Sequence, residues 1–374
     1  MIFLDNASTT KVREDVLQEY IKYSSELFFN PSAPYRIAGD IKKLLNKAEK
    51  DIINYLNGDS NGKLIFTSCA TESNNTAILC NLNKRYKKVL ISAGEHSSVI
   101  SLIDEIRNRG FEVELINLNK NGTIDLDDFK IKMQSDVGLV CVMQVSNETG
   151  AINPISDLVK ICKTVNPNCF FHCDGTQAMC KFKIDLKQLG VDSFAFSGHK
   201  FNAPKGVAGL YVRKQIKPFL LGGGQQSGMR SGTENVAGIM ALTYAILNSD
   251  IEGQFQYVSE LNNLARTILS GKEGIFINSP QDASPFVLSL SFEGVNGATL
   301  VNMLDEEGVC LGTGSACSTK KAGNQTLQSM GLSNAQILGS VRMSFSKDNT
   351  KAEVEYACEK LIQSFERLRK IVRR

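Results

Sequence analysis

Asp174 and Lys200 are the first two residues whose types and positions could do chemistry together. Asp174 closes the apolar run CFFHCDG, and Lys200 follows the run SFAFSG in the segment SGHK. Each therefore stands where a strand is expected to end. A lysine amine can form a Schiff base with an aldehyde and later act as a base. A carboxylate beside a pyridine nitrogen keeps that nitrogen protonated, so that the ring draws electrons from a neighbouring carbanion. A pyridoxal 5'-phosphate (PLP) enzyme needs both. The same pair also admits a plainer reading, with Asp174 capping a turn and Lys200 on the surface, and SGHK alone does not decide between them.

Cys317 is the second candidate. It lies in LGTGSACSTKKAGNQ, whose glycines, small polar residues and paired lysines predict a mobile exposed loop. The nearby Lys320 and Lys321 favour the thiolate, the form that attacks sulfur. The other cysteines sit mostly in apolar runs and read as packing residues. One cluster, Cys169, His172 and Cys173, has the residue types of a metal site. A strand turns His172 and Cys173 to opposite faces, so no metal is expected.

These residues need a scaffold, and the chain from about 60 to 215 has the pattern of one. The short apolar runs KLIFTS, KVLISAG, GLVCVMQV, CFFHCDG, SFAFSG and GLYVRK alternate with amphipathic stretches such as Ser97 to Arg109 and Ile155 to Thr164. That alternation predicts an α/β fold with a mostly parallel sheet and helices on both faces. Polar residues follow the runs in SNETG, DGTQ and SGHK, and in such sheets the ligand crevice lies beyond the carboxyl ends of the strands. A long helical region is expected over about Asn235 to Ser270. The runs FVLSLSFEG, VCLGTGSACS and VRMSFS after it predict a smaller α+β domain. The expected division is 15–250 for the large domain and 1–14 with 251–374 for the small one, which carries the Cys317 loop.

Composition sets the outer bounds. The chain has 374 residues, 42% hydrophobic and 22% charged, the balance of a globular protein large enough for two cores. Net charge is +3, and the basic closing stretch from Arg367 to Arg374 reads as a solvated helix end rather than a nucleic-acid site. No apolar run approaches the roughly 20 residues that span a bilayer. MIFLDNASTT lacks the pattern of a secretory signal. A cytoplasmic protein with reduced thiols is expected, with no nucleic acid and no membrane among its partners.

Read in order, LDNAST, NPSAPYR, FTSCATESNN, EHSSV, SNETG, DGTQ, SGHK, MRSGTEN, GSACS and RMSFS resemble the cysteine desulfurases of the class V aminotransferase family. The approach to Cys317 is similar to that of the IscS/NifS-type group. The resemblance spans nearly the whole chain and implies a PLP-dependent transferase of fold type I, acting on L-cysteine as a homodimer. It also implies a role for each matching residue. Lys200 would hold PLP, Asp174 would pair with the pyridinium nitrogen, Gln177 would hydrogen-bond the phenolic oxygen, and His96 would lie against the ring and move a proton. Ala70, Thr71, Ser197 and His199 would cup the phosphate, joined by Thr233 of the neighbouring subunit. Thr71 also stands at an expected helix start, where unpaired N–H groups suit an anion. Asn147, beside the cofactor, and Arg342 would clamp the substrate carboxylate, since a guanidinium fork fits it with two parallel bonds.

Cys317 would take the sulfur as a persulfide, leaving alanine, and pass it to an acceptor protein such as an iron–sulfur scaffold or a thiolation enzyme of tRNA or thiamine synthesis. Selenocysteine lyase, an aminotransferase, and a PLP-fold scaffold for sulfur-transfer partners are the alternatives. Read without the resemblance, His96 is a buried histidine bonded to backbone and Arg342 an edge-strand arginine. The sequence departs from the family pattern at Cys69, where a glycine is expected, at Gly312 and Thr313, where serines are usual, and at Gln225 and Gln226, where a histidine is common.

Overall fold

A computed structural model describes residues 1–313 and 324–372. Cys317 and the Lys320–Lys321 pair lie outside the described residues.

All six expected apolar runs are strands of one seven-stranded sheet. Its order is Lys63–Thr67, Ala208–Val212, Ser193–Ser197, Phe170–Asp174, Val137–Met143, Lys88–Ser92 and Glu112–Ile116. Ala208–Val212 runs antiparallel to its two neighbours, and every other adjacent pair is parallel. The interior strand Val137–Met143 is buried throughout. Its Leu139 and Cys141 pack with Ile78, Val99 and Ile106 on one face, while Val140 and Val142 join Ile155 and Leu158 on the other. A strand covered on both faces must be apolar at every position, which is why it reads as an unbroken run. The seventh strand, Glu112–Ile116, was not expected. As an edge strand with only one residue buried, it tolerates the charges of EVELI and so resembles surface.

Two expected helices are broken. The Ser97 to Arg109 stretch forms Ser97–Ile100 and Ile103–Asn108. Leu102 N–H bonds the Val99 carbonyl and tightens the first helix to its end, while the Leu102 carbonyl accepts from Ile106 and starts the second. The region from Asn235 to Ser270 forms Val236–Leu247 and Ile251–Leu269, with Asn235 and Asp250 capping their starts through Gly238 and Gly253 N–H. The core changes across that break. Leu242 and Ile246 pack with the large sheet, whereas Val258, Leu261, Ala265 and Leu269 pack with Leu4, Leu290, Val341 and Leu361. Leu327, Met330 and Ile337 return to the large core.

The second core backs a four-stranded antiparallel sheet, in the order Gly312–Thr313, Ser340–Ser344, Val287–Phe292 and Ile275–Ile277. The N-terminal strand Ile2–Phe3 pairs in parallel with Val309–Cys310, and Asp5 bridges Ser344. This pairing carries Asp5, Ala7 and Ser8 to the edge where the large sheet ends. No helix among the described residues is long and apolar enough to cross a membrane.

Candidate active site

Six strands of the large sheet point their carboxyl ends the same way, and five of them lead into residues of the site. Cys69 to Thr71 follow the first, His96 the second, Asn147 the third, Gln177 the fourth, and His199 with Lys200 the fifth. A cavity of about 520 Å³ opens there, and Arg342 reaches it from the small sheet. Of the residues singled out from the sequence, Ala70, Thr71, His96, Asn147, Asp174, Gln177, His199, Lys200 and Arg342 line it. Ser197, 1% exposed, lies behind the wall at the end of its strand. Thr233 is exposed and away from the cavity of its own chain.

Asp174 is held by a buried polar chain. Its Oδ1 accepts from Thr176 N–H at 2.9 Å and its Oδ2 from Asn74 Nδ2 at 2.7 Å. Asn74 Nδ2 also donates to Ser98 Oγ, and its Oδ1 accepts from His172 Nε2 at 2.9 Å. The hydrogen of His172 must therefore sit on Nε2, leaving Nδ1 to accept from Ser193 Oγ at 2.7 Å. Burial pushes the His172 pKa down to about 4, so the ring is neutral. Cys173 packs in the core on the opposite face, as strand alternation requires.

Lys200 Nζ donates to the carbonyls of Ala7 at 2.9 Å and Ser8 at 2.6 Å. Gln177 Nε2 donates to the same Ala7 oxygen at 3.0 Å, and Gln177 Oε1 accepts from Lys181 Nζ at 2.7 Å. His96 caps the helix Ser97–Ile100: its Nδ1 accepts from Ser98 N–H at 3.1 Å. In the neutral ring the hydrogen is on Nε2. Burial among the cavity walls lowers the His96 pKa, against the pull of Asp174. Beside it Glu95 is buried, and burial with the nearby Asp174 raises its pKa to about 8, so its carboxyl is largely protonated at neutral pH.

Arg342 lies between two carboxylates. Nη2 donates to Asp5 Oδ1 at 3.0 Å, and Nη1 donates to the Asn147 carbonyl at 2.9 Å with Glu148 Oε1 at 3.5 Å. Glu148 also accepts from Asn147 Nδ2 and Asn324 Nδ2, each at 2.7 Å. Gly312 makes room for this pair, since a Cβ there would lie 2.7 Å from Asp5 Oδ1 and 3.1 Å from the guanidinium. The departure from serine at this position thus has a steric cause.

The opposite end of the cavity is the start of the helix Ala70–Leu79. Cys69 caps it in an extended conformation, φ −165°, without a side-chain cap bond. Extended backbone needs no glycine, which accounts for the cysteine. First-turn N–H groups and the Thr71 hydroxyl suit an anion. Glu72 ties this turn to the MRSGTEN segment through Arg230 at 2.9 Å. Gln226 meets the N–H and carbonyl of Phe66 on the edge strand at 2.7 and 2.8 Å, and Gln225 accepts from Gly232 N–H. Those two departures have structural work in this loop. His199 Nδ1 lies 3.1 Å from Thr9 Oγ1, and burial with the charges of Lys200, Lys205 and Lys181 lowers its pKa to about 4.

The cavity fits PLP in its donor set: the Lys200 amine, the Asp174 carboxylate, the Gln177 amide and the start of the helix Ala70–Leu79 all line it. Thr176 Oγ1 adds a buried polar atom at the wall with no hydrogen-bond partner among the described residues. Sequence reasoning missed Asn74, Glu95, Glu148, Lys181, His172 as a support, and Asp5. Asn74, Glu95, Glu148 and Asp5 lay inside motifs already noted, and Lys181 four residues beyond Gln177.

Relatives have the same architecture. The family model for class-V aminotransferases matches residues 2–357. The chain is 35% identical to the NifS/IcsS protein homolog of Lactobacillus delbrueckii subsp. bulgaricus, over 98% of this chain and 99% of that protein. It is 34% identical to the cysteine desulfurase IscS of Buchnera aphidicola subsp. Baizongia pistaciae, over 99% of this chain and 94% of the relative. Among solved structures, one titled NifS-like protein matches with a TM-score of 0.91 at 31% identity, over 98% of this chain and all of the other. The NifS-like protein of Rickettsia africae matches with a TM-score of 0.88 at 26% identity, over 98% of this chain and 99% of that one. With its sheet order, its cavity and these matches agreeing, the chain belongs to the class-V aminotransferase family, alongside the NifS and IscS proteins.

Proposed function

We propose that this protein is a PLP-dependent cysteine desulfurase. It moves the sulfur of L-cysteine onto the Cys317 thiol, giving a persulfide on the enzyme and free L-alanine. The sum balances without an external oxidant or reductant: the carbon–sulfur bond of cysteine is reduced to the methyl of alanine as the Cys317 sulfur is oxidised to the persulfide. The observation that carries the reading is the convergence of Lys200, Asp174 and Arg342 on one cavity.

When bound, PLP supplies an electron-accepting ring that stabilises negative charge at the substrate Cα. Lys200 would hold the cofactor through Nζ, and the same amine would serve as the base that takes the Cα proton. Asp174 pairs with the ring nitrogen, and Gln177 donates to the ring oxygen. Ala70, Thr71 and His199 face the phosphate, supported from behind by Ser197. Arg342, with Asn147 beside it, receives the substrate carboxylate. His96, a wall of the cavity with Nδ1 committed to Ser98 N–H, would lie against the cofactor ring and move a proton at Nε2. Cys317 attacks the substrate sulfur as a thiolate.

We also propose a homodimer in which the partner subunit's Thr233 completes the phosphate site, which suits a Thr233 that its own chain leaves exposed. An acceptor protein, an iron–sulfur scaffold or a thiolation enzyme, then takes the sulfur in the cytosol. We propose two domains, 15–250 and 1–14 with 251–374; the change of core between Ile246 and Val258 supports the boundary, although Leu327, Met330 and Ile337 pack in the larger core. Incubating the holoenzyme with L-cysteine and quantifying alanine, sulfide and pyruvate tests the reaction. Alanine matched by bound sulfur or sulfide is expected, and pyruvate as the main product would overturn it.

A further inference from the structure

Lys181 is a buried lysine, 6% exposed, that none of the roles above uses. Among the described residues no carboxylate pairs with it. Its ammonium instead donates to Gln177 Oε1 at 2.7 Å and lies 5.4 Å from the centroid of the Phe286 ring. The charged and titratable groups around it are Lys200, Arg342, Cys180 and His199, the first two cationic. Burial, then Lys200 and Arg342, pull its pKa down to about 7. A desolvated cation in such company gains from an anion nearby.

The chemistry of its contact settles which way the Gln177 amide faces. Lys181 has an N–H to donate as ammonium or as amine, and the atom that accepts it at 2.7 Å is Oε1. The Ala7 carbonyl only accepts, so the atom 3.0 Å from it must be Nε2. The amide is thus fixed from both ends, with its NH₂ turned toward the carbonyl that Lys200 also meets at 2.9 Å. That NH₂ has a second hydrogen for a ligand.

We propose that Lys181 is a positioning residue that acts through Gln177: its ammonium locks and polarises the amide so that a hydrogen-bond donor, not an acceptor, faces the ring oxygen of the cofactor. Without Lys181 the amide keeps only the Ala7 carbonyl as an anchor, and the positive bias carried along the amide is lost. The proposal rests on PLP filling this cavity with Gln177 at its ring oxygen.

The test is the pH midpoint of the visible absorbance change of the holoenzyme, compared in wild type, Lys181→Met, Gln177→Leu and the double variant. A cation acting on the ring oxygen disfavours protonation of the cofactor–lysine linkage. Lys181→Met should therefore raise the midpoint, by about one pH unit for a charge relayed at this distance. In the Gln177→Leu background the same change should add nothing. An unshifted midpoint in Lys181→Met, or equal shifts in both backgrounds, would overturn the proposal. A wild-type protein with no PLP-dependent absorbance would instead overturn the cofactor reading on which it rests. Methionine matches the lysine stem as far as Cε and removes a buried charge, so the variant is expected to fold; Lys181→Leu, read in the same way, replaces it if thermal melting shows otherwise.

Discussion

Asn74 stands between His172 and Asp174, accepting from the imidazole Nε2 at 2.9 Å and donating to the carboxylate at 2.7 Å. The amide can serve both only while the imidazole carries a hydrogen on Nε2, and the neutral state that burial enforces leaves Nδ1 to accept from Ser193 Oγ. A histidine whose folded pKa is about 4, against an ordinary 6.5, binds fewer protons folded than unfolded between those values. Stability therefore rises with pH across that window and falls as pH drops from about 6.5 toward 4. His172→Gln removes the titration while keeping a donor for Asn74. Urea unfolding at pH 7 and pH 5 should show a smaller loss on acidification in the variant than in wild type, with about 1 to 2 kcal/mol of the difference arising at this site. An equal loss in both would place the acid sensitivity elsewhere, His199 being the first alternative.

Arg342 divides its donors among Asp5, Glu148 and the Asn147 carbonyl, an arrangement that poises a guanidinium and that an ammonium cannot copy. Arg342→Lys should raise KM for cysteine, by up to about 3 kcal/mol in binding if a charged bidentate contact is lost. Gly312→Ala should raise KM in the same direction without removing any polar group, because its methyl would push on the Asp5–Arg342 pair. Steady-state kinetics on both variants checks the clamp. An unchanged KM in Arg342→Lys would leave Arg342 a structural strand residue.

The shared phosphate site is checked by mixing subunits. Lys200→Ala protein combined with a Thr233→Val protein should form hybrid dimers in which one site carries both defects and the other neither. Activity well above that of either parent is expected after subunit exchange. No recovery, with exchange demonstrated, would mean that Thr233 serves its own chain.

Asp174 and Lys200 were legible because each follows an apolar run, and strand ends are where α/β sheets place their chemistry. Five of the six runs were legible because interior strands covered on both faces admit few polar residues, and Lys63–Thr67, at one edge, because four of its five residues are buried. Glu112–Ile116 escaped because an edge strand is free to carry charge. His172 and Asn74 escaped as a pair because they are 98 residues apart in the chain and meet only through the sheet. Lys181 reads as one more surface lysine until packing buries it against Phe286. Cys69 and Gln226 looked like defects in a pattern, yet an extended φ at the first and a two-point contact with Phe66 at the second give each a place.

Transfer of sulfur to Cys317 is the step that separates this reading from every other PLP chemistry. The direct measurement is peptide mass spectrometry of holoenzyme treated with L-cysteine and alkylated to preserve labile sulfur, run beside Cys317→Ser. A serine hydroxyl is scarcely ionised at neutral pH and cannot displace sulfur, while the groups that would hold PLP remain. An extra sulfur on the Cys317 peptide, with alanine released in equal amount, is the predicted result, together with a Cys317→Ser protein that binds PLP and releases almost no alanine. A persulfide on Cys69 or another cysteine, or full alanine production by Cys317→Ser, would contradict it.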